Sequence, residues 1–190
     1  MIERALRIAA APIAAFAFAV TLALTFAPAT AQEAGWQTFT RAELGLTVQR
    51  PPDLYELDPE PPSEDVVGEV EWGPKDHAWS ILITSQKLKP GQTLASIVAE
   101  EKSRNPKAEA AATKIGDGVD AVRWWSLDDD SLSTFVLLLD KTGTKLIAIE
   151  LAIGLGDEDT GKSMDQLRAA NTGAIALFER LLTTVRIAKN

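Results

Sequence analysis

The chain has 190 residues, with 27 acidic against 19 basic side chains, one histidine, five tryptophans and no cysteine. Lack of cysteine excludes disulfides, thiol redox chemistry, cysteine nucleophiles and thiolate metal sites, so stability must come from a packed core. A net charge of −8 disfavours nucleic acid and anionic lipid surfaces, which reward basic patches.

Residues 1–31 read as a secretory signal peptide. Arg4 and Arg7 give a positive start, Ile13 to Phe26 is apolar apart from Thr21 and Thr25, and Ala29-Thr30-Ala31 is a small-x-small cleavage site. Pro12 and Pro28 bracket 15 positions, short of the roughly 20 that a spanning helix needs, which favours cleavage over a retained anchor. The leader holds two arginines and one glutamate, so the chain from Gln32 keeps 17 basic and 26 acidic side chains and a net charge of about −9. Its 159 residues suit one domain, 32–190.

After the leader, apolar residues at alternate positions predict a hairpin of Trp36–Arg41 and Leu44–Arg50 about Ala42-Glu43, ended by Pro51-Pro52. An acidic, proline-rich loop follows from Leu57 to Asp65. Strands are predicted over Val66–Trp72 and Trp79–Gln86, with a turn at Gly73-Pro74. Thr93 caps a helix through about Arg104, with Leu94, Ile97 and Val98 on one face and Asn105-Pro106 as its stop.

Three strands, Val119–Leu127, Ser131–Leu139 and Thr144–Gly154, then form an antiparallel meander. Leu137-Leu138-Leu139 and Leu146–Ile149 are apolar on both faces, as central strands covered on two sides should be. Ser163 and Gln166 form a capping box for one last helix reaching about Thr183, whose apolar stripe runs through Met164, Leu167, Asn171, Ala174, Phe178 and Leu181. Thr184–Ile187 closes the chain as an edge strand. The fold class read from these elements is α+β, an antiparallel β-sheet flanked by helices.

Several segments together carry a resemblance. They are Gly45-Leu46-Thr47-Val48, then Pro51-Pro52 and Tyr55, Pro90-Gly91-Gln92-Thr93-Leu94 opening a helix, Gly118-x-x-Ala121 in a strand, and Val185-Arg186-Ile187 after the last helix. In this order the chain resembles the small PsbP/Mog-like α/β family. The resemblance implies the same sheet-and-helix fold and a role in binding, since that family ranges from photosystem accessory proteins to a binder of a nuclear-transport GTPase. It transfers no site residue to this chain.

Candidate chemistry is sparse. His77 is the sole histidine, so a two-histidine zinc site or a facial triad lacks its ligands and at most a lone general base remains; its polar stretch Pro74-Lys-Asp-His77 reads as a solvated turn. Asp128-Asp129-Asp130 and Asp157-Glu158-Asp159 supply hard oxygen ligands, but Gly161 departs from calcium-loop spacing, and aspartates in turns normally cap their own backbone. Gly156-x-x-x-x-Gly161-Lys162-Ser163 matches a phosphate-binding loop in spelling, against the three carboxylates inside it and the antiparallel strands around it. Trp124 and Trp125 point to opposite sides of a strand and are the candidate interaction surface, with core on both sides the competing expectation.

The sequence therefore reads as an exported, non-enzymatic envelope protein that contacts a protein partner or a small ligand. It is expected to need no cofactor, to bind no nucleic acid and to have no stable membrane insertion after cleavage. The alternatives are a metal-assisted hydrolase built on the acidic turns and a structural or stress-related envelope protein without a specific ligand.

Overall fold

The computed structural model describes residues 35–58, 64–104 and 108–188. The segment expected to be a signal peptide, the prolines of the acidic loop and the expected helix stop at Asn105-Pro106 lie outside the described residues.

The first hairpin joins β1 (Gln37–Arg41) to β2 (Leu46–Arg50), with Arg41 opposite Leu46 and Gln37 opposite Arg50. Its turn is four residues, Ala42–Gly45, where two were expected. Leu44 is the cause: it is fully buried and folds back into the core, its N–H donating to the Arg41 carbonyl at 3.2 Å. Gly45 then reverses the chain at φ +71°, a left-handed conformation that glycine adopts without strain. At the far end of the chain, β10 (Arg186–Ile187) pairs antiparallel with the other edge of β2, completing a small three-stranded sheet.

Among the described residues a second, seven-stranded sheet is antiparallel throughout. It comprises β3 (Tyr55–Leu57), β4 (Val66–Gly73), β5 (Trp79–Lys87), β6 (Glu109–Ile115), β7 (Val119–Leu127), β8 (Ser131–Leu139) and β9 (Lys145–Gly154), in the order β3-β4-β5-β9-β8-β7-β6. Its two edge strands were not predicted. β3 is three residues long and shows no alternation, and Glu-Ala-Ala-Ala-Thr-Lys-Ile of β6 has weak strand propensity; it is a strand because it pairs with β7 from Glu109 opposite Trp125 to Ile115 opposite Val119.

The central strands β8 and β9 are apolar on both faces for the expected reason. Their inner face, with Val136, Leu138, Ile147, Ile149 and Leu151 at zero exposure, lies in the main core together with Leu46 and Val48 of the small sheet. On the outer face Leu137 and Leu146 join Trp124 in a separate, smaller cluster. Helix α1 (Leu94–Arg104) contributes Leu94, Ile97 and Val98 to that cluster; Thr93 caps it, its Oγ1 accepting from the Ser96 N–H at 3.1 Å.

The closing helix is two helices, α2 (Met164–Ala170) and α3 (Thr172–Thr184), where one was expected. Asn171 departs from helical backbone at φ −109°, ψ 29°, and its side-chain amide donates to the Leu167 carbonyl at 2.9 Å. An asparagine that bonds its own backbone competes with helix continuation, and Gly173 just beyond weakens the next turn. The capping box at the start is present as read: Gln166 N–H donates to Ser163 Oγ at 3.3 Å and Ser163 N–H donates to Gln166 Oε1 at 2.8 Å.

Two turns pin these layers. Gly116, between β6 and β7, sits at φ +50° with its N–H donating to the Leu182 carbonyl at 3.0 Å; a Cβ there would lie 1.8 Å from the Val185 carbonyl oxygen. Only glycine permits that approach of sheet to α3. In the β8–β9 turn, Asp140 Oδ1 accepts from the N–H groups of Thr144 (2.8 Å) and Lys145 (2.9 Å), while Oδ2 accepts from the Thr142 hydroxyl at 2.6 Å. Burial pushes the Asp140 carboxyl upward, yet these hydrogen bonds outweigh it and hold the group below its ordinary range.

Candidate functional site

Register alone assembles the notable surface of this molecule. Directly opposed residues of antiparallel strands share a face. One continuous row of the outer face therefore reads Ala110, Trp124, Phe135, Glu150, Leu82, Glu71, Leu57 across β6, β7, β8, β9, β5, β4 and β3. The next row carries Leu137, Ala148, Thr84 and Glu69 on the four strands from β8 to β4.

Helix α1 bridges one end of these rows and leaves a groove beneath it. The cavity is about 300 Å³, roofed by Ile97, Val98 and Glu101 and floored by Trp124, Phe135, Leu137, Leu146 and Ala148. None of the described side chains of α1 is buried, so the helix spans the sheet without filling the space below it. Trp124 is 8% exposed and its ring lies 5.4 Å from that of Phe135, tilted by 31°. This is a two-ring aromatic floor.

Trp125 is placed differently, although it adjoins Trp124. It is half-buried on the inner face opposite Thr134, with the Arg168 guanidinium 4.2 Å and that of Arg123 5.1 Å from its ring centroid. Arg123 also donates to Thr134 Oγ1 at 2.9 Å and pairs with Glu179 of α3, and Arg168 pairs with Glu109 of β6 at 3.3 Å. Trp125 thus helps to hold α2 and α3 against the sheet, while Trp124 faces the groove.

Beside Phe135 in the same row stands Glu150, which the sequence reading passed over. Burial is the main cause that pushes its carboxyl above the ordinary range; hydrogen bonding to Ser133 opposes this and the neighbouring Glu71 charge adds to it. The available signal was a lone carboxylate inside Leu146-Ile-Ala-Ile-Glu-Leu-Ala-Ile153, an otherwise apolar strand.

The other candidates resolve locally. His77 is exposed in the turn between β4 and β5 at φ +55°, its N–H donating to the Pro74 carbonyl. Asp128, Asp129 and Asp159 line one cavity of about 290 Å³ with Lys162, but among the described residues no three Asp, Glu or His side chains are grouped so as to hold a metal ion. Asp159 is already engaged: Lys162 Nζ donates to its Oδ1 at 2.7 Å and Gly156 N–H to its Oδ2 at 3.1 Å, and these contacts lower its carboxyl below the ordinary range. The amide and lysine that a phosphate loop would offer to a nucleotide are thus taken by the chain's own carboxylate. The strand before them, β9, is antiparallel to both neighbours, unlike the parallel strand of a nucleotide fold. No described helix is long and apolar enough to cross a membrane.

The architecture is an antiparallel α+β sandwich of sheet and helices. No protein-family model matches the sequence, and no curated protein matches it. Solved structures are similar in fold. Cyanobacterial PsbP (CyanoP) from Synechocystis sp. PCC 6803 is 13% identical with a TM-score of 0.51, over 82% of this chain and 94% of that one. A point mutant of Mog1 is 11% identical with a TM-score of 0.51, over 82% and 97%. The Saccharomyces cerevisiae Ran-binding protein Mog1p is 10% identical with a TM-score of 0.49, over 80% and 95%. The chain has the PsbP/Mog-like fold.

Proposed function

We propose that this is a non-catalytic binding protein of the cell envelope, exported by the segment Met1–Ala31, and that it holds its ligand or partner in the groove between α1 and the outer face of the large sheet. The observation that carries this reading is the aromatic-floored cavity of about 300 Å³ under a helix none of whose described side chains is buried. Its size is at the lower end of small-molecule sites, and its apolar floor with a few polar groups at the margin is their usual composition. Support for export comes from the leader: Arg4 and Arg7, the apolar run Ile13 to Phe26 and the small-x-small site Ala29-Thr30-Ala31.

Two measurements test the reading. Titration with a neutral, environment-sensitive naphthalene dye should give one saturable site in the purified protein and none in Ala148→Phe, which fills the groove floor. Equal binding by both proteins, or by neither, would remove the groove as the site. N-terminal sequencing of protein expressed with its leader should begin at Gln32 in a periplasmic or secreted fraction. Protein that starts at Met1 and stays in membranes would overturn the export.

A further inference from the structure

We infer that the groove selects a small organic cation with an apolar body, such as an arylalkylamine. This rests on the groove being the binding site and adds the chemistry of its occupant.

The aromatic floor accounts for the apolar body. Trp124 and Phe135 offer two tilted ring faces, which attract cations as well as apolar groups. Glu150 accounts for the charge. It lies directly opposite Phe135 and two positions beyond Ala148 on the same face of β9, so it begins where the cavity floor ends. Glu71 follows two strands further along that row, about 10 Å away at ordinary strand spacing, and Glu69 stands in the adjacent row. Among the described residues none of these three carboxylates has a basic side chain within ion-pair distance.

The charged side chains that line the cavity itself are Glu101 and Lys102; Glu150, Glu71 and Glu69 lie beyond it along the sheet, and Arg41 donates to the Glu69 backbone carbonyl at 3.1 Å. Glu101 of the roof is paired with Arg104 at 3.2 Å, and Lys114 with Asp120 at 2.5 Å. Lys102 is exposed at the mouth of the groove, and Lys75 sits over the Tyr55 ring at the opposite edge of the sheet. A half-buried carboxylate beside an aromatic floor favours an ammonium group, repels an anion and gives a neutral head no Coulombic gain.

Isothermal titration at neutral pH with phenylbutylamine, phenylbutanol and phenylbutanoate isolates the head group on a constant body. The amine should bind about tenfold more tightly than the alcohol, and the carboxylate should show no binding. Glu150→Gln should erase most of the preference for the amine while leaving the alcohol's affinity unchanged, and Ala148→Phe should abolish both. Glu71→Gln, at a more open position, should reduce the preference less, and it keeps the test decisive if Glu150→Gln folds poorly. Equal binding of amine and alcohol, or an amine preference that survives both glutamine variants, would overturn cation selection yet leave the groove as a site. Failure of all three compounds would overturn cation selection too, and the neutral dye then decides separately whether the groove binds anything.

Discussion

Helix α3 places Phe178 and Leu181 at zero exposure against the inner face of the large sheet, whereas α1 crosses the outer face with Ile97 and Val98 only partly covered. The same sheet therefore carries one helix that completes a core and one that leaves space. A glycine locks the first in place: Gly116 abuts the C-terminal turn of α3, and Arg186 just beyond that helix pairs with Asp117 at 2.7 Å. No comparable lock is found at α1 among the described residues, where its ion pairs join Arg104 to Glu100 and Glu101 of the same helix. Close packing is concentrated on one side of the sheet, and unfilled space on the other.

Substitutions can break or sharpen that contrast. The largest effect is expected at Phe178→Ala, which should cost about 3–5 kcal/mol through lost burial and an unfilled cavity. Gly116→Ala should cost about 2–4 kcal/mol, because a methyl group cannot share space with the Val185 carbonyl and the turn must move. Ile97→Ala on α1 should cost about 1 kcal/mol or less, since little of its surface is withdrawn from water. Urea denaturation of the three variants measures the ranking; an Ile97→Ala loss equal to that of Phe178→Ala would mean that the two helices are docked alike.

A smaller effect depends on pH. Glu150 titrates above its ordinary value of 4.5 in the folded chain, so between that value and the raised one the folded state holds the proton more firmly than the unfolded state. Stability from this group is complete below the ordinary value and declines as pH rises through the raised one. Glu150→Gln removes the decline, so its stability relative to the parent should increase with pH across that window. A difference that stays constant from acid to neutral pH would show that the carboxyl is not desolvated. Smallest of all is Lys162→Ala, expected within about ±0.5 kcal/mol in stability. Neither that variant nor the parent should bind nucleoside triphosphate, and micromolar binding lost on substitution would restore the phosphate loop.

The parts of this structure that were legible in the sequence are those decided within a few residues. The Ser163–Gln166 capping box, the Thr93 cap and the doubly apolar strands β8 and β9 each announce themselves locally. The split at Asn171 did not, because the apolar stripe runs on from Leu167 to Phe178 and hides the backbone competition between them. β6 was missed because its strand character comes from pairing with β7. For the site, alternation placed Trp124 and Trp125 on opposite faces, but not which of them would meet a groove. That outcome depends on where α1 lands, and the proximity of Glu150 to Phe135 depends on strand register, which no single segment encodes.

Register is also where the Asp140 turn matters. A carboxylate that gathers the Thr142 hydroxyl and the Thr144 and Lys145 amides fixes the phase of the β8–β9 ladder at its end. About five residues further along, some 17 Å at ordinary strand rise, that phase sets Glu150 against Phe135. A slip of one step would turn Glu150 into the core; a slip of two would face it with Leu137 or Ser133 instead. The head-group preference proposed for the groove therefore depends on a hairpin tip that lies outside it, and a change of phase there would disturb the core together with the placing of Glu150.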